Sequence, residues 1–244
     1  MRSKHIHISD CDIRAGDDDF AIVSSEDVNI NNCSLFSYSA AIRLEDTRYS
    51  TFANLSIHAN RGLAVFSRGE EHTAHVLFSN ITMETFLITG HWWGKGEPIY
   101  IAARTGNGKS EIRDVHFTNI TVEAESGIMI YGAPDSIVRD IFLEEIRMHV
   151  RAPHEQIAKS VGGNFDLRWT AASLKEAIFE HDIPALYLRY VDGLRIRDFD
   201  LTWGDHLPPY FSGALEAEDS KNLDYADFKT VSAPGSAARP VSVH

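Results

Sequence analysis

The sequence predicts an all-β solenoid, a parallel β-helix of about eight coils, and three observations carry that expectation. A loose pattern of apolar, polar, polar, apolar recurs eight times, at residues 7–13, 29–35, 51–57, 77–83, 116–122, 142–148, 195–201 and 225–229, the last copy being the weakest. One polar residue marks the register of each copy: Asp10, Asn32, Asn54, Asn80, Asn119, Glu145, Asp198 and Asp227, at intervals of 22, 22, 26, 39, 26, 53 and 29 residues. A second short apolar run follows each copy, at 20–23, 41–44, 63–66, 99–101, 128–130, 186–188, 215–217 and 241–243. A base period in the low twenties with occasional insertions is a solenoid signature. Alternation inside each copy signals strand rather than helix.

Strands that recur once per turn stack in parallel ~4.8 Å apart, so eight coils build a rod roughly 38 Å long. Each coil buries its apolar residues against its neighbours only. Ile8, Ile30, Phe52, Phe78, Phe117 and Leu143 fall at equivalent positions. The recurring Asn suit turns and can stack as a polar ladder. Cys11 and Cys33 lie one coil apart in the same register, within disulfide reach, and stacked inward-facing thiols are the preferred reading. Two segments depart from the rhythm: 89–98, rich in Gly and aromatic residues, and 151–184, where Thr170 or Ser173 is placed to cap a short helix over 171–178. No boundary divides the chain, so one domain is expected over 1–244, with a loop at 232–236 before the last strand.

The 244 residues are long enough to bury a sizeable core, and 43% hydrophobic with 24% charged content is ordinary for a globular protein. A net charge of −12 argues against a nucleic-acid partner, which requires a basic face. It also means that an anionic substrate must be held by local Arg and Lys. No apolar run spans a bilayer. Met1-Arg2-Ser3-Lys4 leads straight into patterned sequence, so no signal peptide is expected on this chain: cytoplasmic as written, or secreted if a segment precedes it. Two cysteines do not fix the redox compartment. The oligomeric state is not legible.

Chemistry is expected in the loops before the second strands, because insertions on one side of a solenoid build the walls of a cleft. The first such loop carries Asp17, Asp18 and Asp19. Like charges this close repel, so either solvent absorbs the cost in a turn or a site uses it. Later loops carry Tyr38 and Ser39, Asn60 and Arg61, the 91–98 insertion and the 151–184 insertion. Acidic groups flanked by aromatic and basic ones suit a polysaccharide or oligosaccharide. Trp92 and Trp93 are candidates to stack on sugar faces, or to pack under their insertion. Arg61, Arg68 and Lys95 are candidates to hold carboxylates, and His91 and Glu97, in the aromatic insertion, are candidates to bind substrate, with cleft shape the other role expected of Glu97. His5, His7 and His75 read as surface or packing residues. No metal-ligand spacing stands out, no cofactor is expected, and Asp17–Asp19 lacks the spaced ligands of a calcium loop.

At Gly16-Asp17-Asp18-Asp19-Phe20-Ala21-Ile22, preceded by Ile8-Ser9-Asp10-Cys11-Asp12-Ile13, the sequence resembles the polygalacturonase-like glycoside hydrolases of family 28. Trp92-Trp93-Gly94-Lys95-Gly96-Glu97-Pro98-Ile99 is similar to a segment of bacterial members. The resemblance extends over nearly the whole chain and, with the crossover rule, implies a single-stranded right-handed β-helix. It implies inverting hydrolysis of α-linked galacturonic acid or related pectic sugars, with Asp17 and Asp18 as active-site carboxylates, one protonating the leaving oxygen and one helping to activate water. Inversion needs acid and base ~6.5–9.5 Å apart, so a turn must fall at Asp17–Asp18.

The chain also departs from the family. The family's Asn-Thr-Asp-Gly element would lie about one coil upstream, before Met1. Its Gly-His-Gly element falls near Tyr38-Ser39-Ala40, without the His. Its Arg-Ile-Lys element falls near Ala64-Val65-Phe66, without either base, leaving Arg61 or Arg68 as possible substitutes. These departures predict weak or no activity for a chain truncated by a coil. The rivals are a calcium-dependent polysaccharide lyase and a non-catalytic carbohydrate-binding β-helix.

Overall fold

The computed structural model describes residues 3–68, 72–103, 110–167 and 178–244. Its main sheet curls around an axis into an all-β, parallel β-helix-like fold. Ile8 lies beside Ile30, Ile30 beside Phe52, Phe52 beside Phe78, Phe78 beside Phe117 and Phe117 beside Leu143, in parallel throughout, as the repeat predicts. The second runs form their own parallel row: Phe20 beside Ile42, Ile42 beside Leu63, Leu63 beside Ile99, and further along Ile128, Leu186, Leu215 and Val241. In the second copy the row starts at Ile42, one residue later than the expected 41–44 run.

The repeat turns its corners through left-handed backbone. Asp10, Asn32, Asn54, Asn80, Asn119, Glu145 and Asp198 all have φ between 49° and 58°. Asn and Asp enter this region at lower cost than most L-residues, because their short polar side chains bond locally. The corner side chains form the expected ladder: Asn54 Nδ2 donates to Asn32 Oδ1 (3.1 Å), Asn80 to Asn54 (3.2 Å) and Asn119 to Asn80 (2.8 Å). A second corner lies five residues earlier in each copy, at His5, Asp27, Tyr49, His75, Asp114 and Asp140, with φ from 50° to 57°. These bends let the 21-residue strand Ser25–Glu45 wrap around the core, with its pairing shifting register between Ser37 and Ala40, beside the cavity.

The interior is a set of one-residue-wide stacks. Ile30, Phe52, Phe78, Phe117 and Leu143 have no exposed surface. The rings of Phe52 and Phe78 stack at 4.9 Å, and those of Phe78 and Phe117 at 5.0 Å. Ile6, Ile8, Cys11 and Ile13 of the first copy are only half-buried. Both cysteines are free. Each thiol donates to the carbonyl two residues earlier (3.2 Å), and burial pushes the Cys33 pKa up. That arrangement matches stacked thiols.

Both insertions lie where the rhythm breaks. The longer contains a helix, Glu155–Val161, which the periodicity does not reveal, and an antiparallel pair, Asn164–Asp166 with Ile178–Glu180. The expected cap at Thr170 or Ser173 lies outside the described residues. The roots of both insertions meet at Glu125: its Oε2 accepts from Leu87 N (2.7 Å) and its Oε1 lies 3.0 Å from Arg151 Nη2. Among the described residues no helix is long and apolar enough to cross a membrane.

Candidate active site

Gly16–Asp19 joins the strands Asp12–Ala15 and Phe20–Val23. Its backbone leaves strand geometry, so neighbouring side chains are not forced to opposite faces. Asp17 and Asp18 both line a cavity of about 220 Å³, together with Ser39, Ala40, Arg43, Arg61, Phe66 and Trp93. Asp18 is held on both oxygens: Oδ2 accepts from Arg43 Nε (2.7 Å) and Oδ1 from Ala40 N (3.2 Å). Asp17 is exposed, and its main-chain oxygen accepts from Ser37 Oγ (2.7 Å). The Ser39 hydroxyl, on a fully buried residue, has no hydrogen-bond partner among the described residues. A buried polar atom left unmade is costly, and this one belongs to a residue of the cavity wall.

Asp19 differs from its neighbours. Its Oδ1 accepts from Ala15 N (3.0 Å), closing the loop, while Oδ2 is buried with no hydrogen-bond partner among the described residues. Burial pushes its pKa up to about 7; the Ala15 N–H opposes the shift and the Asp18 charge adds to it. Asp19 is not part of the cavity wall.

Below the cavity lies a charged clamp. Arg61 is 2% exposed, and Glu97 and Asp166 are 0% and 1% exposed. Arg61 Nε and Nη2 donate to the two Glu97 oxygens (3.2 and 3.3 Å), and Nη2 also donates to the Asp166 carbonyl (3.3 Å). Glu97 further accepts from Lys95 N (2.6 Å) and Asp166 N (3.3 Å), and Asp166 Oδ2 accepts from Gly94 N (2.8 Å). The Arg61 guanidinium sits 3.9 Å from the Tyr100 ring centroid. Burial alone would lower the Arg61 pKa, but Glu97 and Asp166 raise it above its ordinary value. Gly94 has φ +119°, and a Cβ there would stand 3.0 Å from Arg61 Cβ, so only glycine closes this turn over the clamp. One cation thus pins both insertions to the sheet.

The pinned insertion reaches back to the first coil. A Cβ on Gly16 would meet the Trp92 ring at 3.3 Å, so the bare glycine makes room for the indole beside Asp17. Tyr38 and His91 flank that indole at 5.8 and 4.5 Å.

Of the candidates read from sequence, Asp17, Asp18, Arg61 and Trp93 converge on the cavity, Trp92 lies beside its Asp loop, and His91 packs on the Trp92 ring. Lys95 and Arg68 are not part of the wall; Arg68 Nε pairs with Glu45 Oε1 (2.6 Å). Glu97 has no exposed surface, and its two oxygens are taken by Arg61 and by main-chain N–H groups. The residue missed is Arg43. It binds both Asp18 and Glu45 Oε2 (3.0 Å), linking the loop to Arg68 through a chain of alternating charge. The sequence alone did not single it out, because the expected 41–44 run is one residue out of register, and only the observed pairing of Arg43 with Ala21 brings it next to the Asp loop.

Comparison of the chain with family models, with curated proteins and with solved structures finds no match.

Proposed function

We propose that this chain is a right-handed, single-stranded parallel β-helix of about eight coils that acts as an inverting glycoside hydrolase on pectic or related plant cell-wall polysaccharide. One observation carries the reading: two carboxylates, a guanidinium, an unsatisfied hydroxyl and an indole face one cavity, at Asp17, Asp18, Arg43, Ser39 and Trp93. Aromatic faces stack on sugar rings, and paired carboxylates supply the acid and the water-activating base of glycoside hydrolysis. Asp17 and Asp18 take those roles. Arg43 orients Asp18, Trp92, Trp93 and His91 bind sugar, and Arg61 with Glu97 fixes the wall that carries Trp93.

A reducing-sugar assay over a panel of pectic oligosaccharides tests this. Asp18→Asn is expected to lower turnover on the order of a hundredfold or more. Turnover that survives the substitution removes Asp18 from the mechanism. Calcium-dependent release of an absorbing unsaturated product would identify a lyase instead, and binding without turnover a carbohydrate-binding module.

A further inference from the structure

A second cluster lies away from the cavity, where the long insertion meets the late coils. Glu216 and Glu218 are two apart on the strand Leu215–Glu218, so their side chains leave one face. On the neighbouring strand, Leu186–Arg189, Tyr187 pairs with Glu216 and Arg189 with Glu218. His181 directly follows the insertion strand Ile178–Glu180, and its Nε2 lies 3.2 Å from Glu216 Oε1. One ligand atom from each of His181, Glu216 and Glu218 falls within 4.8 Å of the others.

Three details point to a ligand. The His181 Nδ1 is bonded to the Asp182 carbonyl oxygen, which fixes Nδ1 as the donor and turns the other nitrogen toward Glu216. Metal-binding histidines are oriented in this way. So held, the ring aims Nε2 at the Glu216 carboxylate, and the contact is bridged by a proton on Nε2 or by a metal ion that takes its place. Tyr187, with no exposed surface, brings a hydroxyl close to Glu218 that completes no hydrogen bond of proper geometry among the described residues. The site is also reachable: the His181 and Glu216 side chains are 19% and 24% exposed.

We propose that His181, Glu216 and Glu218 bind a divalent first-row transition-metal ion, which staples the insertion to the β-helix. One imidazole and two carboxylates suit such an ion, whereas calcium asks for six to eight oxygen ligands. Ligand atoms ~2.0–2.2 Å from a metal lie at most about 4.4 Å apart, so the side chains close in by a few tenths of an ångström. Arg189 Nε, 3.6 Å from Glu218 Oε2, offsets part of the negative charge. A carboxylate has two oxygens, so one can serve the ion while the other stays with Arg189.

Zn²⁺ titrated into the full chain, followed by calorimetry and native mass spectrometry, tests the site, with Ca²⁺ in parallel. One equivalent of Zn²⁺ is expected to bind, and a hundredfold excess over Kd to raise Tm by several degrees, reversibly with EDTA. His181→Asn, Glu216→Gln or Glu218→Gln should each weaken binding at least tenfold, and the triple variant should abolish it. Asp114→Asn, in the separate His75–Asp114–His116 cluster, should leave that equivalent unchanged. Equal binding by the wild type and the triple variant overturns the proposal, as does absence of binding by the wild type, which would leave a proton-mediated ion pair. Because a variant could misfold, Co²⁺ is added to the wild type alone. Paramagnetic broadening of the His181 ring resonances supports the site, and its absence refutes it.

Discussion

Glu97→Gln separates a structural clamp from a substrate contact. The substitution keeps shape and removes charge. Glu97 accepts four hydrogen bonds, two from Arg61 and two from main-chain N–H groups, inside a region without solvent. Breaking a buried pair by neutralising one partner costs roughly 3–5 kcal/mol, mostly because the other charge is left buried and unpaired. Here Asp166 Oδ2 remains 3.7 Å from Arg61 Nη2, which places the cost near the lower end, about 3 kcal/mol. For a domain of this size that corresponds to a Tm lower by about 6–12 °C. Calorimetry at neutral pH measures it, and tryptophan fluorescence reports whether the wall carrying Trp93 loosens. Adding Arg61→Met together with Asp166→Asn removes the remaining buried charges and should recover about half of the loss, since apolar replacement of buried charges is often tolerated. A single-variant loss below about 1 kcal/mol, a value typical of exposed pairs, would refute the clamp. So would a triple variant no more stable than the single one.

Asp19 sets a pH dependence. Its pKa rises from 3.8 unfolded to about 7 folded, so between those values the folded state binds the extra proton. Stability should therefore fall as pH rises from about 4 to about 7 and then level off. The full shift would be worth about 4 kcal/mol at 1.36 kcal/mol per pH unit, but the group is only half-buried, and solvent screening reduces the expectation to about 1–2 kcal/mol. Asp19→Asn should flatten the profile; denaturant melts at pH 5 and pH 8 measure it, and an unchanged slope would exclude Asp19. At the ladder, Asn54→Ala loses two amide hydrogen bonds and strains a φ of 55°, and should cost about 2 kcal/mol. Asn54→Gly keeps the backbone freedom and should cost about half as much; urea melts showing equal losses would assign the whole effect to the amides.

The fold was legible because burial and backbone strain repeat with the coil. Phe52, Phe78 and Phe117 recur since each must fill the same interior slot, and Asn32, Asn54 and Asn80 recur since each must occupy the same left-handed corner. The second corner was harder to read: Asp27, Asp114 and Asp140 are residue types that enter left-handed backbone readily, but His5, Tyr49 and His75 at the equivalent positions blur the pattern. The helix Glu155–Val161 was hidden for a related reason: at seven residues, with only Ala158 buried, it has no apolar stripe to detect.

The site was partly legible. Asp17 and Asp18 stand in a motif, whereas Arg43 becomes significant only once the strand register brings it beside the motif loop. Arg61 was read as a holder of substrate carboxylates, whereas the carboxylates it meets are the protein's own, from residues 36 and 105 positions away. His181, Glu216 and Glu218 meet only because an insertion folds over a later coil, so no ligand spacing appears along the chain.

The charge around the cavity makes a last prediction about substrate. Its wall and the groups bonded to that wall contain the guanidiniums Arg43, Arg61 and Arg68 and the carboxylates Asp17, Asp18, Glu45, Glu97 and Asp166. Among the described residues, three cations against five anions leave no surplus positive charge for a uronate. Arg43 is already shared between Asp18 and Glu45, and Arg61 is buried against Glu97 and Asp166. A sugar carboxylate would enter beside unbalanced negative charge, where like charges cost free energy that salt screens only in part. A neutral sugar stacked on Trp93 pays no such penalty. Under the glycosidase reading, therefore, oligosaccharides with a neutral residue at the cleaved bond should be turned over at least tenfold faster, by kcat/KM, than matched galacturonides, and the gap should narrow as ionic strength rises. Faster cleavage of galacturonides at low salt would show that a cation outside this wall, with Lys95 the first to test, supplies the recognition.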